Sequence, residues 1–258
     1  MIKAILFDLD DTLLWDEKSV KTAFEKTSNV AHAKYEIDQE VFEQKVRENA
    51  CRLYASYDVY PFTQMIGINP FEGLWAEFLD EGEEFRKLKE IAPTYREEAW
   101  TLGLQDVGID NPEFGRELAD YFREARKASP FLYEDSLTIL DQLKGDYKLG
   151  LITNGSPSLQ NLKLEITQEL VPYFSEIIIS GDFGRGKPDP TIFEHALKAL
   201  SLDKNEAIMV GDNLHTDILG ANRAGIPSVW LNRHNREKGE IKPMYEISNL
   251  SELMRILI

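Results

Sequence analysis

Asp8 and Asp10, in the run Asp8-Leu9-Asp10-Asp11-Thr12, are spaced to share a chemical task. They follow the apolar, β-prone run Ala4-Ile5-Leu6-Phe7, which puts them where a buried strand ends and a loop begins. Open α/β sheets bind ligands at that end of their strands. Two acids at i and i+2 there can face one crevice, one attacking as a nucleophile while the other exchanges protons, provided their environments differ. Taken alone the pair also suits a bland role, because acids decorate strand ends and cap helices.

Three further groups of residues follow apolar runs in the same way. Thr153-Asn154-Gly155 comes directly after Leu149-Gly150-Leu151-Ile152; a hydroxyl and backbone N–H groups at such a turn can hold phosphate oxygens, and Ser156-Pro157 also reads as a helix cap with a first-turn proline. Lys187-Pro188 lies in a glycine-rich loop from Gly181 to Pro190, where a lysine can set its ammonium over a carboxylate or a phosphoryl group. Arg185 in that loop takes only a minor role. Val210-Gly211-Asp212 with Asp217 places two acids after a strand, a donor set that suits a hard cation such as magnesium, although Asp217 also fits as an acid favoured by a helix start. His215 between them reads as a loop residue, since such a site favours oxygen.

The elements that must position these groups alternate. Helical spacing over Tyr133–Lys144, Pro157–Leu170, Thr191–Leu200 and Asp217–Ala224 is interleaved with β-rich runs at Tyr147–Thr153, Glu176–Ser180, Ala207–Val210 and Ser228–Leu231. Strands alternating with helices imply right-handed crossovers and a parallel sheet covered on both faces. With the first strand this predicts a five-strand, doubly wound, Rossmann-like α/β core. Residues 15–130 read as an all-helical insertion: Phe42, Val46, Ala50 and Leu53 form one stripe, Val20, Phe24, Ala31 and Tyr35 a looser one, and Pro93 and Pro112 fit first turns of further helices. Two domains result, a core of residues 1–14 and 131–258 and a helical cap of residues 15–130.

Composition narrows the class. A chain of 258 residues, 43% hydrophobic and 29% charged, is an ordinary globular protein large enough for a sizeable core. Its net charge of −16 argues against nucleic acid as a partner. An anionic substrate must then be drawn in by local cations rather than by the overall field. The one cysteine, Cys51, reads as a small core or boundary residue; with no internal disulfide available and Asp8 interrupting the N-terminal apolar run, a cytoplasmic protein without membrane association is expected.

The four groups, in this order and each at a strand end, resemble the haloacid dehalogenase superfamily, most of whose members are phosphatases. The resemblance covers residues 1–14 and 131–258 and rests on Asp8-x-Asp10-x-Thr12, Thr153, Lys187-Pro188, and Gly211-Asp212 with Asp217. It implies that Asp8 forms an aspartyl-phosphate and that Asp10 protonates the leaving alkoxide and later activates water. It also implies that Thr153, Lys187 and the Asn154 backbone hold the phosphoryl group. Magnesium would be held by Asp8, the Asp10 backbone carbonyl and Asp212, with Asp217 in support. Physics agrees with the set: Asp8, Asp10, Asp212 and a phosphate dianion cannot share a crevice unless a divalent cation and Lys187 offset them. Only residues 154–186 separate Thr153 from Lys187, too few for an inserted domain, so the insertion follows the first group, as in the helical-cap subgroup.

The expected function is a magnesium-dependent phosphatase acting on a small-molecule phosphomonoester, as a monomer or homodimer. A dehalogenase of the superfamily lacks the second acid, so Asp10 favours phosphate chemistry. A phosphomutase uses the same acids, and a non-catalytic binding protein would carry a broken motif, where none is broken. The long cap is similar to that of bacillus-type phosphatases, some assigned phosphoserine; sugar phosphates and nucleoside monophosphates remain open. Specificity is expected in the cap, where the Tyr60–Phe71 segment reads as a lid loop or as packing between helices. Arg47, Arg52 and Arg96 offer cations for a substrate carboxylate, or ordinary surface pairs.

Overall fold

The computed structural model describes residues 1–257, and they divide into two units: Met1–Trp15 with the segment from Leu132 onward, and Asp16–Phe131. In the first unit six strands make one sheet: β1 (Ala4–Phe7), β2 (Lys148–Thr153), β3 (Glu176–Ile179), β4 (Ala207–Gly211), β5 (Ser228–Leu231) and β6 (Tyr245–Ile247). Every pairing is parallel and the order is β3-β2-β1-β4-β5-β6. The apolar runs of the sequence predict five strands, one fewer than the sheet contains. β6 is the one they miss, because it has only three residues, two of them exposed, so neither length nor a buried apolar run marks it.

Parallel strands buried on both faces must be apolar throughout, and β1 is buried at all four positions. Its alternate residues serve different layers. Ile5 and Phe7 pack with Leu149, Leu151, Ile208 and Val210 under the helix Ser136–Leu143. Ala4 and Leu6 pack with Ile152, Met209, Phe193 and Leu200 under the helix Pro190–Leu200. Burial of this kind contributes on the order of 25 cal/mol per Å² of apolar surface, which fixes register because a one-residue slip would exchange the two layers.

The second unit is helical: α1 (Asp16–Tyr35), α2 (Gln39–Ser56), α3 (Tyr60–Ile66), α4 (Pro70–Gly73), α5 (Glu83–Asp106) and α6 (Pro112–Lys127). Its core gathers Phe24, Phe42, Trp100 and Phe122, whose ring centroids lie 4.7–5.9 Å apart in the contacting pairs. Tyr60–Phe71 is two short helices and a connector, not a lid loop: Pro61 sits in the first turn of α3, Gly67 closes it in the left-handed conformation, and Asn69 caps α4 in a capping box with Glu72. Pro112 does open a helix behind Asn111. Pro93, in contrast, lies inside α5, whose buried stripe of Leu88, Ala92, Tyr95, Ala99 and Trp100 overrides a local helix breaker. Cys51 is exposed on α2, not in a core or boundary position, because it lies off the stripe of Phe42, Val46 and Ala50.

Candidate active site

β1 sits between β2 and β4, at the point where strand order reverses, and its carboxyl end runs straight into the first acid. The Asp8 amide donates to the Val210 carbonyl at 3.0 Å, so the ladder to β4 holds Asp8 as firmly as the strand itself. Beyond it the chain folds tightly. Leu13 and Leu14 amides both donate to the Leu9 carbonyl, and Asp11 takes a positive φ of 57°. That turn returns Thr12 toward the acids. Its hydroxyl donates to Asp8 Oδ2 at 3.2 Å, while the Asp212 amide donates to the same hydroxyl oxygen at 3.1 Å, tying β1 to the end of β4.

Lys187 is the hub. Although it comes from a loop, it is buried, and its Nζ lies 2.5 Å from Asp8 Oδ1, 2.7 Å from Asp217 Oδ1 and 2.7 Å from the Ile152 carbonyl. Burial alone would depress its ammonium, but the Asp217 and Asp8 carboxylates outweigh that and hold it well above the usual lysine range. Asn154 fastens the loop: its side chain donates to the Lys187 carbonyl at 2.9 Å and accepts from the Lys187 amide at 2.8 Å. Gly186 allows this approach, because a Cβ there would stand 2.8 Å from the Asn154 side chain. The lysine loop thus carries a charged side chain inward, and the stretch before it is not all loop, since Ser180–Phe183 forms a short helix. Arg185 points away, exposed and 3.4 Å from Asp189.

Asp212 and Asp217 enter from the end of β4. A π-helical turn, Leu214–Ile218, precedes the helix Leu219–Ala224 and turns Asp217 back, where its Oδ2 accepts from the Asn213 amide at 3.1 Å. His215 in that turn is exposed. Asp8, Asp212 and Asp217 each offer a carboxylate oxygen within 4.8 Å of the others. The crowding has an electrostatic signature. Asp212 is pushed up to about 8, first by burial and then by Asp217, Asp8 and Asp11, and burial likewise raises the carboxyl of Asp217. One ammonium does not offset three clustered acids. An all-oxygen, acidic donor set of this size is what magnesium prefers, so the residues present fit that ion.

Asp10 stands apart from this trio. Its Oδ2 accepts from Lys163 Nζ at 2.8 Å, and Lys163 is buried in the helix Pro157–Glu165. The two acids of the first group therefore face different cations, the asymmetry that nucleophile and proton-exchanging roles require. Thr153, the last residue of β2, is buried with its hydroxyl donating to Gln160 Oε1 at 3.2 Å. Ser156 caps the helix that carries Gln160 and Lys163, accepting from the Leu159 amide, so Thr153-Asn154-Gly155 serves a turn and a helix start together.

A family model of haloacid dehalogenase-like hydrolases matches residues 2–225. The chain belongs to the haloacid dehalogenase-like hydrolases. Among curated relatives of this hydrolase, a phosphoserine phosphatase of Thermus thermophilus is 36% identical over 98% of each chain. A glyceraldehyde 3-phosphate phosphatase of Methanopyrus kandleri is 30% identical over 100% of this chain and 97% of the relative. The solved structure of YfnB from Bacillus subtilis, bound to magnesium, shares the fold with a TM-score of 0.67 at 22% identity, covering 99% of this hydrolase and 98% of YfnB. Among the described residues of this hydrolase no helix is long and apolar enough to cross a membrane.

Several residues of the site lie outside the four strand-end groups that the sequence nominates. Lys163 and Gln160 carried a signal in the helix after Thr153: they sit at i and i+3, hence on one face, and that face is buried although polar. Arg236 carried none; it comes from the loop beyond β5 and places Nη1 3.4 Å from Asp212 Oδ2. In the helical unit, Arg96 is buried and donates to the Gly73 and Ala76 carbonyls, Arg47 pairs with Glu43 over the Phe24 ring, and Arg52 donates to Asn49. Arg96 is thus committed to holding α4 and its exit against α5.

Proposed function

We propose that this phosphoric monoester hydrolase works through an aspartyl-phosphate on Asp8, with Asp10 as the acid and base and water as the final acceptor. The observation that carries this reading is the meeting of Asp8, Asp212 and Asp217 with one buried lysine at the tip of a central parallel strand. In the first step an Asp8 oxygen forms a bond to phosphorus as the ester P–O bond breaks. The electron pair leaves on the ester oxygen, which takes a proton from the Asp10 carboxyl. In the second step the ionised Asp10 removes a proton from water as it attacks phosphorus and frees Asp8. Lys187 and Thr153, with the Asn154 backbone, hold the phosphoryl oxygens in line. Asp8, Asp212 and the Asp10 backbone carbonyl, supported by Asp217, would hold magnesium, which supplies charge neutralisation for a dianionic substrate.

Phosphoserine is the specific substrate we propose, supported by the full-length relationship to a phosphoserine phosphatase. Glyceraldehyde 3-phosphate is the comparator, because a relative named for it also aligns over the whole chain. Asp10 supports phosphate over haloacid as substrate, since displacement of halide needs no such acid. The single cysteine and the strongly acidic net charge support a cytosolic enzyme without nucleic-acid partners. The test is release of inorganic phosphate with magnesium from phosphoserine, glyceraldehyde 3-phosphate and p-nitrophenyl phosphate. The highest kcat/KM is expected for phosphoserine. A phosphoserine rate no better than that of the aryl ester rejects the substrate, and no turnover of any ester rejects the hydrolytic reading.

A further inference from the structure

Lysine is almost never fully buried without a partner, and the Pro157–Glu165 helix buries Lys163 to 1% exposure while Leu159 and Leu164 already supply apolar packing. The partner is Asp10: Lys163 Nζ lies 2.8 Å from Asp10 Oδ2. One turn earlier on the same face, Gln160 accepts from the Thr153 hydroxyl. This helix therefore reaches two of the motif residues through buried polar side chains, and its start is fixed by the Ser156 cap immediately after Thr153-Asn154-Gly155. Asp10 itself lies on the tight turn after β1, beyond the strand pairing that holds Asp8. An acid on a turn needs a second element to fix its rotamer.

We propose that Lys163 is a positioning residue for leaving-group protonation. By holding Oδ2 of Asp10, it fixes which carboxyl oxygen is presented to the ester, and it stands beside the carboxylate charge that Asp10 acquires as its proton passes to the departing oxygen. The phosphorus–oxygen bond breaks toward the ester oxygen, that oxygen receives the Asp10 proton, and Lys163 keeps all of its own protons. This rests on the assignment of Asp10 given under the proposed function, and it adds a residue outside the four strand-end groups.

The inference separates from a merely structural ion pair through leaving-group dependence. Phenoxide needs a proton as it departs; dinitrophenoxide hardly does. Lys163→Met, close in length and apolar, is expected to lower kcat for phenyl phosphate about tenfold to a hundredfold, reaching only the lower end of the range for general acid catalysis because Asp10 itself remains, with KM unchanged. For 2,4-dinitrophenyl phosphate the loss should stay small. In an Asp10→Asn background, Lys163→Met should cost nothing further. Lys163→Gln, which keeps an N–H donor without the charge, is measured in parallel and should show the same split in milder form; it decides the matter if the methionine variant does not fold. Equal losses with both esters, or an added loss in the Asp10→Asn background, overturn the proposal while the aspartyl-phosphate reading stands. Turnover that survives Asp8→Asn overturns the reading itself.

Discussion

Asp8 and Lys187 show how much one contact decides. The 2.5 Å approach of an ammonium to the acid at the strand tip sets a positive charge inside a cluster of carboxylates. Asp8→Asn keeps the shape and removes the attacking charge, so turnover should fall at least about a thousandfold with the thermal midpoint little changed; phosphate release and a melting curve read both. Asp212 gives a pH prediction. An unfolded aspartate titrates near about 3.9, whereas Asp212 in the fold is pushed up to about 8 by burial and neighbouring acids. Between those values the native state binds the extra proton. The contribution of Asp212 to the stability of the metal-free protein therefore declines as pH rises from about 4 to about 8 and levels off above, the reverse of a salt-bridged carboxylate. The proposed magnesium site needs the ionised cluster of the native state, so the rise in thermal midpoint that the ion produces should be larger near pH ~8 than near pH ~5. Equal stabilisation at the two pH values would place the ion elsewhere. Residue type and spacing sufficed to nominate Asp8, Asp10, Thr153, Lys187, Asp212 and Asp217. They did not suffice for Lys163, because a lysine on an amphipathic helix is ordinarily solvated, and only the packing of that helix turns it inward.

Elements aim these residues, and close backbone approaches are where the aim is set. Gly211 ends β4 against Asp217: a Cβ added there would stand 2.3–2.5 Å from three atoms of the Asp217 side chain. Gly211→Ala should cost about 1–3 kcal/mol by overpacking and should also weaken magnesium-dependent stabilisation, because Asp217 must move. Gly145→Ala is the control, since no atom lies within 4 Å of the position. A G211A variant that melts like the parent and responds fully to magnesium would show that Asp217 has room to shift without consequence. The π-helical turn Leu214–Ile218 makes the same point from the other side. The pattern of Asp217 to Ala224 reads as a plain helix, yet the observed helix starts at Leu219 and the widened turn before it carries Asp217 back onto Lys187. Strands were legible because parallel ones are continuous apolar runs. The exceptions, β6 and the uninterrupted α5 through Pro93, are elements that tertiary packing decides against local propensity.

At the scale of the whole molecule, the insertion is placed so that the sheet-bearing unit closes without it. Leu14 and Leu132, at the two ends of the junction, form an antiparallel bridge; the Tyr133 amide and the Ser136 hydroxyl both donate to the Leu13 carbonyl, at 3.2 and 2.7 Å. Trp15 stacks on Tyr133 at 4.9 Å. Bridged Cα atoms lie about 4.5–5.5 Å apart, a gap that two or three residues span with ease. Asp8, Asp10, Thr153, Lys163, Lys187, Asp212 and Asp217 all belong to this unit. Replacing residues 16–131 by a short Gly/Ser linker should therefore leave a chain that unfolds in one cooperative transition, is stabilised by magnesium, and hydrolyses 2,4-dinitrophenyl phosphate in an Asp8-dependent way. If the helical unit selects the substrate, preference for phosphoserine over a generic aryl ester should vanish, because every residue proposed for the reaction lies in the sheet-bearing unit. A shortened chain that folds and binds magnesium yet turns over no ester would mean that the helical unit supplies a group to the reaction itself. One that keeps the parent's preference would move substrate selection onto the strand-end loops, with Arg236 beside Asp212 as the first residue to replace.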